Sequence, residues 1–581
     1  AAPVDAERLI APLAHRGPDG VRVEATPGAA LAHARLSIID LEGGWQPITA
    51  AGSTLIGNGE IYNYLELTAE HGLESDLATG SDFEPLLHLY AREGPAAFAR
   101  LRGMYAFCLL GCDGRTWLVR DAFGIKPLYL REDAGALRFA SEPRSLRPER
   151  LSLEAAETHQ LLSLHYLVGE GRLGVQRVPP GAVWRVEAGR VAERAELPAI
   201  TPAPAVRRAA EPLLDRLDAV LEDSVRVHQR SDAPYGLFLS GGIDSAAVAT
   251  LMARLNTRPV TAYTCGFDAP ANGQGGAADE RRAAERVARA LKLDWRETTF
   301  TAEDFRRLAP QVAAALDDPT ADYACLPTLK LAEAARGTLT VVLTGEGGDE
   351  LFAGYGRYRR ALRPPWLGGR TAGARYDAWL NRLQVDDTPR IRRRISEAPA
   401  EGVVEAWAEA VRRRGPPPGR PSRLHAAQWG DIATWLPDDL LLKLDRMLMA
   451  HGLEGRTPFL DREVAAFAWS LPQRELVRGR RGKHVLRRWL ARACPAADPW
   501  ARKQGFTVPV AGWLAEDGAG LAARIAAAGW LADAVHPDRL RQAFADPVLA
   551  DRRWPLVFTA LWTAIHRDRL SPEDAGAAVF G

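Results

Sequence analysis

Cysteine is scarce in this chain of 581 residues, and the five present (Cys108, Cys112, Cys265, Cys325 and Cys494) form no CxxC pair. Cys108 and Cys112 are the nearest two, and no His or Cys cluster beside them completes a zinc set. Scattered thiols in odd number fit a reducing cytoplasm better than a disulfide framework. No apolar run approaches the ~18 residues a membrane span needs, and no signal peptide is visible. Lys+Arg 74 against Asp+Glu 73 leaves a net charge of +1, so no excess of either sign points to nucleic acid or a membrane surface. Internal repeats are also lacking. What is present is ordinary globular composition, 47% hydrophobic and 25% charged, in a chain too long for one core. Two to four domains are expected.

The pattern changes once along the chain. Up to about Pro198, short strand-like runs alternate with turn signals: 30–39, 54–57, 104–110, 116–119, 127–130 and 137–140. Two helical stretches interrupt them, Tyr64–His71 and Phe83–Ala91, the second expected to be capped by Ser81 or Asp82. Many strands with few helices predict a layered α+β domain. Residues 197–206 (LPAITPAPAV) are Pro-rich and aperiodic, and read as a linker. From Glu211, strands and helices alternate: helix 212–229, strand 235–239, strand 260–267, helix 279–293, strand 294–300, helices 302–316 and 328–336, and strand 339–343. That alternation predicts a doubly wound parallel sheet. After Gly356 the chain is mainly helical and Arg-rich, with a polar break at 415–421 (GPPPGRP). The boundaries read as 1–198 and 199–581.

Two glycine loops carry chemistry. In YGLFLSGGIDS, Tyr235–Ser245, an apolar strand breaks at Ser240-Gly241-Gly242 and a helix opens at Ser245. Strand, glycine turn and helix start leave backbone N–H groups aimed at an anion, with the helix dipole behind them. No Lys-Ser/Thr pair follows, so this is not the kinase-type P-loop. SGGxDS resembles the pyrophosphate loop of the N-type ATP pyrophosphatases, against the plain alternative of a small-residue turn. The second loop, TGEGGDELFAGY (344–355), follows the strand TVVL and is expected beside the first at one sheet edge. It brings Glu346, Asp349 and Glu350 towards phosphates, which makes sense with Mg²⁺ between them, though a solvated acidic turn is the plain alternative. In LPDDLLLKLDRMLMAHGLEGRTPFLD (436–461) most apolar positions read as core; Asp445 and Arg446 either bind substrate or pair with one another.

At this point a resemblance covers nearly the whole chain. HRGPDG (15–20), ARLSIID (34–40), NGEIYNY (58–64), GSDFE (80–84), RDAFGIKPLY (120–129) and FASE (139–142) are similar to the glutaminase domain of the glutamine-dependent asparagine synthetases of bacterial type. SGGIDS, TGEGGDELFAGY, LPDDLLLKLDRM, GRTPFLD and RKQGF are similar to their synthetase domain. The resemblance implies N-terminal-nucleophile glutaminase layers followed by an α/β synthetase domain with extra C-terminal helices. The ATP loop then maps onto Ser240, Gly241, Gly242, Asp244 and Ser245, with the backbone at Phe238 and Cys265 holding adenine and Thr344 and Gly345 flanking ribose and α-phosphate. It assigns Glu346 to forming the acyl-adenylate, Asp244 and Asp349 to Mg²⁺ and pyrophosphate, and Lys503 to steadying negative charge. In the first half it implies that Arg35 pairs with the glutamine α-carboxylate, with Leu36, Ser37 and Ile38 beside it. Asp82 and Glu60 take the ammonium, and Asn58 and Gly59 donate to the oxyanion. Arg35 paired with Asp40, and Asn58-Gly59 as a turn, are the plain alternatives.

One departure stands out. The family resembles hydrolases whose N-terminal Cys attacks the amide, whereas this sequence starts at Ala1 and its first cysteine is Cys108. The expectation is a nucleophile-bearing strand ahead of Ala1; the rival is a relic glutaminase domain in an enzyme using free ammonia. The reading is an ATP- and Mg²⁺-dependent amidotransferase that turns aspartate into asparagine through an acyl-AMP, with an internal passage for ammonia. Its partners are small molecules (aspartate, glutamine and ATP), and family members are often homodimers. A specialised or ring-closing ligase of the same chemistry and a catalytically dead homologue are the competing readings.

Overall fold

The structure is a computed structural model. It describes residues 3–26, 28–133, 135–147, 149–201, 210–268, 280–363, 400–419, 421–501 and 508–581. In the first half, six antiparallel strands lie in the spatial order Arg190–Glu196, Ala182–Glu187, Thr116–Arg120, Gly103–Leu110, Ser53–Ile61, Ile48–Ala50. Successive side chains of a strand point to opposite faces. Along Gly103–Leu110, therefore, Tyr105, Phe107 and Leu109 face the helix Glu84–Glu93 through Leu86, Leu87 and Tyr90. Ala106 and Cys108 face the other way, against Leu128 and, in a second sheet, Leu130. That sheet has four strands, Ala136–Ala140, Tyr129–Asp133, Val175–Arg177 and Gly171–Arg172. Helices, sheet, sheet is the layered α+β architecture expected. Cys108 is a core residue, its thiol pushed up to about 12 by burial.

The second half holds five parallel strands: β1 (Tyr235–Phe238), β2 (Thr261–Phe267), β3 (Asp294–Phe300), β4 (Val341–Leu343) and β5 (Glu454–Arg456). Their order is β3-β2-β1-β4-β5, so the chain steps outward from β1 and then returns to its other side at β4. The crevice between β1 and β4 is the switch point at which such sheets bind ligands. Beyond Ala400 the described chain is mainly helical, including a ten-residue π-helix, Asp431–Leu440, that runs into the helix Leu441–Met449. π-turns of this kind concentrate at functional sites. The two largest buried clusters each draw on both halves: Ile38, Tyr62 and Met104 join one, and Leu151, Leu161 and Leu173 join the other.

Several expected boundaries shift. The strand expected over 30–39 is Ala29–Arg35, because Ser37–Asp40 turn away and Asp40 adopts φ 51°. The strand expected over 127–130 is Tyr129–Asp133, and that over 339–343 is Val341–Leu343. Asp82 does not cap the helix at 84: its carboxylate accepts the Ile61 N–H at 2.6 Å instead. The N-cap position there is Phe83, whose N–H donates to the Ser81 hydroxyl at 3.3 Å. Asp279 and the second half of the linker, from 202, lie outside the described residues. Among the described residues, no helix is long and apolar enough to cross a membrane.

Candidate active sites

The first site lies at the carboxyl ends of β1 and β4. After β1 the loop turns on its own hydroxyls: the Ser240 N–H donates to Ser245 Oγ (3.2 Å) and the Gly242 N–H to Ser240 Oγ (3.1 Å). The Gly241 N–H meets a carboxylate, Glu280, at 3.2 Å, the kind of anion that such a cradle favours. The helix Ile243–Leu255 begins immediately behind it. Residues of β2 flank the loop's start: the Leu239 N–H donates to the Tyr263 carbonyl (2.8 Å), and Thr264 Oγ1 donates to the Leu239 carbonyl (2.7 Å). Phe238 and buried Cys265 thus stand beside the loop.

The loop after β4 approaches so closely that glycine is needed. A Cβ on Gly345 would stand 2.8 Å from the Asp244 Cβ, and one on Gly348 would stand 2.6 Å from Asp244 Oδ1. This contact brings Asp244 and Asp349 together, and both close on one ammonium, Lys483, at 2.6 Å in the case of Asp349. Burial opposes the charge on Lys483, but Asp244 and then Asp349 outweigh it and hold its pKa above the ordinary value. Lys483 itself sits in the left-handed region (φ 55°), with its N–H donating to the Phe352 carbonyl at 3.0 Å. Lys503, expected to supply this charge, lies outside the described residues. Glu346 faces a second ammonium, Lys443, at 4.0 Å; Lys443 also pairs with Asp322 at 3.0 Å. Burial, then Asp322, Asp349 and Asp244, raise the Glu346 carboxyl, with Lys443 pulling the other way. Glu350 points elsewhere: it accepts from the Tyr355 hydroxyl at 2.6 Å, and burial pushes it up to about 8.

The second site is a cavity of about 260 Å³ lined by Arg35, Leu36, Ile38, Asn58, Gly59, Glu60 and Asp82. Ser37 is not in its wall; its N–H donates to Asp19 at 2.7 Å. Arg35 is buried, lies over the Trp45 ring (4.9 Å), and donates to the backbone carbonyl of Asp40 rather than pairing with its carboxylate. Burial, and after it Asp82, push Glu60 well above the usual carboxylate range, against Arg456 at 3.2 Å. Burial likewise brings Asp82 to about 7. Met449 and Glu454 of the second half also line this cavity, so it reaches the junction of the two halves.

A profile for asparagine synthase matches residues 216–565, and one for a glutamine amidotransferase domain matches residues 3–195. The chain belongs to the asparagine synthase family. Among its relatives, a putative glutamine-hydrolysing asparagine synthetase of Mycobacterium tuberculosis H37Rv is 34% identical over 559 residues, covering 86% of this chain and 83% of the relative. Glutamine-hydrolysing asparagine synthetase 1 of Bacillus subtilis strain 168 is 29% identical, covering 98% and 96%. Asparagine synthetase B of Escherichia coli K12 is 29% identical, covering 85% and 77%.

In this member of the asparagine synthase family, the charged residues of 436–461 build the junction between the halves. Asp445 takes Arg16 through two bonds (2.7 and 2.9 Å), and Arg446 takes Glu142 (3.3 Å) and Asp317 (3.1 Å). Asp445 and Arg446 do touch at 3.3 Å, but their nearer partners lie elsewhere. Lys126 meets Glu454 at 3.0 Å, and Arg456 reaches Glu454 at 2.9 Å. Through its carbonyl Arg456 also accepts the Thr344 N–H at 2.9 Å, so one residue touches both candidate sites. Sequence reasoning missed Lys483, Lys443 and β5. Lys483 follows Gly482 at a helix start, and that Gly-Lys pair ahead of a helical run was the available signal. In β5 the residues Glu-Gly-Arg carry no apolar alternation, because this strand is buried among charges.

Proposed function

We propose that this enzyme makes asparagine. The β-carboxylate of aspartate attacks the α-phosphorus of ATP, pyrophosphate leaves, and ammonia from glutamine then displaces AMP from the β-aspartyl-AMP. The observation that carries this is the meeting of two glycine loops at one switch point, with Asp244 and Asp349 closing on Lys483 and Glu346 opposite Lys443. The cradle of Ser240, Gly241 and Gly242, with Ser245 behind it, receives the phosphates, and Thr344 and Gly345 flank the ribose and α-phosphate. Lys483 meets the negative charge that grows on the leaving pyrophosphate. Glu346 and Lys443 face the step at which the acyl-adenylate forms. Lys503 remains assigned to the same charge-steadying work.

Asp244 and Asp349 would hold Mg²⁺. The ammonium between them marks a point that favours a cation. Two carboxylates completed by phosphate oxygens suit this ion, which would neutralise those oxygens. In the glutamine cavity Arg35 holds the α-carboxylate, Asp82 and Glu60 hold the ammonium, and Asn58 and Gly59 donate to the oxyanion. Leu36 and Ile38 shape that wall, with Ser37 on the segment between them. Domains at 1–198 and 199–581, a cytoplasmic setting and a homodimer belong to the same reading.

Purified protein given aspartate, ATP, Mg²⁺ and a nitrogen source, glutamine or ammonium, should release pyrophosphate and asparagine. ADP in place of pyrophosphate, or turnover indifferent to aspartate, defeats the proposal. Glu346→Gln should abolish pyrophosphate release; if adenylation survives, the role given to Glu346 is wrong.

A further inference from the structure

The guanidinium of Arg35 is buried, yet among the described residues its side chain makes one hydrogen bond, from Nη2 to the Asp40 carbonyl. Its Nη1 is buried with no partner. Burial holds its pKa below the ordinary value, with Asp40 and Asp19 pulling upward and Arg22 downward. Neither acid closes on it. The Asp40 carboxylate accepts the N–H groups of Gly43 (2.9 Å) and Gly80 (2.8 Å), and Asp19 accepts that of Ser37 (2.7 Å). A desolvated charge needs compensation from something. What lies against this one is an aromatic face, the Trp45 ring, with its centroid 4.9 Å from the guanidinium carbon. An indole face at that range attracts a cation. Unlike a carboxylate, it does so without taking up the N–H donors.

Local structure seats this ring. Gly20 and Arg35 stand directly opposite on the antiparallel strands Gly20–Thr26 and Ala29–Arg35, so they share one face of the ribbon. A Cβ on Gly20 would come within 3.0 Å of the ring's Cη2, so glycine makes room for it there. The loop folds back through the Gly44 N–H, which donates to the Asp40 carbonyl (3.0 Å), and the Trp45 N–H, which donates to that of Gly43 (2.8 Å). Beyond the ring, Gln46 Oε1 accepts the Gly57 N–H at 2.6 Å and ties the loop to the strand that carries Asn58. Gly44 and Gln46 line the cavity of about 260 Å³, whereas Trp45 stands outside its wall. The ring therefore acts on a ligand only through Arg35. We infer that Trp45 is a positioning residue of the glutamine site, holding Arg35 in place while leaving Nη1 to the substrate's α-carboxylate. The inference deepens the reading of this cavity as the glutamine site and rests on it.

The test is calorimetric binding to the full chain of two ligands, glutamine and 4-aminobutanamide. The second keeps the amide and the ammonium and lacks the α-carboxylate, so it makes no use of Arg35. The unsubstituted chain should prefer glutamine by about tenfold or more, as a charge-assisted contact predicts. Trp45→Leu should weaken glutamine about three- to thirtyfold and leave 4-aminobutanamide within about twofold. Trp45→Phe, which keeps a weaker π-face, should recover part of the loss. Tetrafluorotryptophan placed at position 45 alone drains the π-face while nearly keeping the shape. It should loosen glutamine in the same direction, and it serves as the probe if Trp45→Leu does not fold. Unchanged glutamine affinity in a folded variant overturns the inference and leaves the glutamine reading standing. Equal losses for both ligands also overturn it, since they would mark the ring as a mere scaffold. Binding of neither ligand by the unsubstituted chain defeats the glutamine reading, and the inference falls with it.

Discussion

Replacing Lys483 by methionine probes the ATP site most directly. The side chain is 4% exposed and closes on Asp244 and Asp349, the latter at 2.6 Å. Methionine keeps much of the stem and deletes the charge, so the two carboxylates and the departing pyrophosphate meet with one cation fewer. Losing one preorganised partner of a developing anion costs about 10²–10³ in rate, or ~3–4 kcal/mol. Folding suffers too. A broken buried pair costs ~3–5 kcal/mol, and the exposure of the two carboxylates, 16% and 18%, places this case at the lower end. Because the folded pKa of Lys483 is raised, its contribution to stability is complete below the unfolded value of ~10.4 and is lost only as pH climbs through the folded value, so assays near neutrality see all of it. Aspartate-dependent ATP–pyrophosphate exchange reads adenylation without amide transfer. Exchange in Lys483→Met should fall two to three orders of magnitude, and Lys483→Arg should recover part of it. Adding Asp349→Asn to Lys483→Met should restore thermal stability without restoring exchange. Exchange within about tenfold of wild type in Lys483→Met, or an arginine variant as poor as methionine, refutes the argument from charge.

Three further outcomes are expected. Glutamine should bind more tightly as pH rises through about 7, where Asp82 loses its proton. Its raised folded pKa also means that its contribution to stability is best below ~3.9 and declines up to about 7; Asp82→Asn should flatten both trends, and an affinity indifferent to pH across that range counts against the assignment. Arg16→Met strands buried Asp445 and should lower stability by ~3–5 kcal/mol, with Arg16→Met/Asp445→Leu melting close to wild type; identical melting of single and double variants would show that the pair does not matter. Gly348→Ala places a Cβ 2.6 Å from Asp244 Oδ1 and should raise the KM for ATP about tenfold, since overpacking costs ~1–3 kcal/mol. An unchanged KM means that the loop can shift.

Much of the fold was legible because apolar periodicity sets it. The strand ending at Phe238 read as a buried run, those ending at Phe267 and Phe300 read as strands alternating with helices, and both glycine loops announced themselves by turn chemistry. Where periodicity was absent the reading stopped. β5 is buried by ion pairs rather than apolar contacts, so nothing in its three residues says strand. Asp82 looked like a helix cap because local hydrogen bonding is the cheapest guess for an aspartate before a helix, but Ile61, on a distant strand, claims it. Lys483 and Lys443 drew no reading, because the carboxylates around them are brought there by tertiary contacts. A cavity lined by three separated segments, at 164–166, 322–324 and 435, is connected by no local pattern.

The ions at the junction bear on how this protein can be handled. Arg16, Glu60, Lys126 and Glu142 in one half face Asp445, Arg456, Glu454 and Arg446 in the other, and all eight are buried. A fragment expressed alone would expose a face of desolvated charges with their counter-ions missing, beside a core that was shared. Splitting the gene near the linker should therefore yield two poorly soluble pieces, and a chimaera that exchanges the first half with that of a relative must carry matching partners at all four contacts.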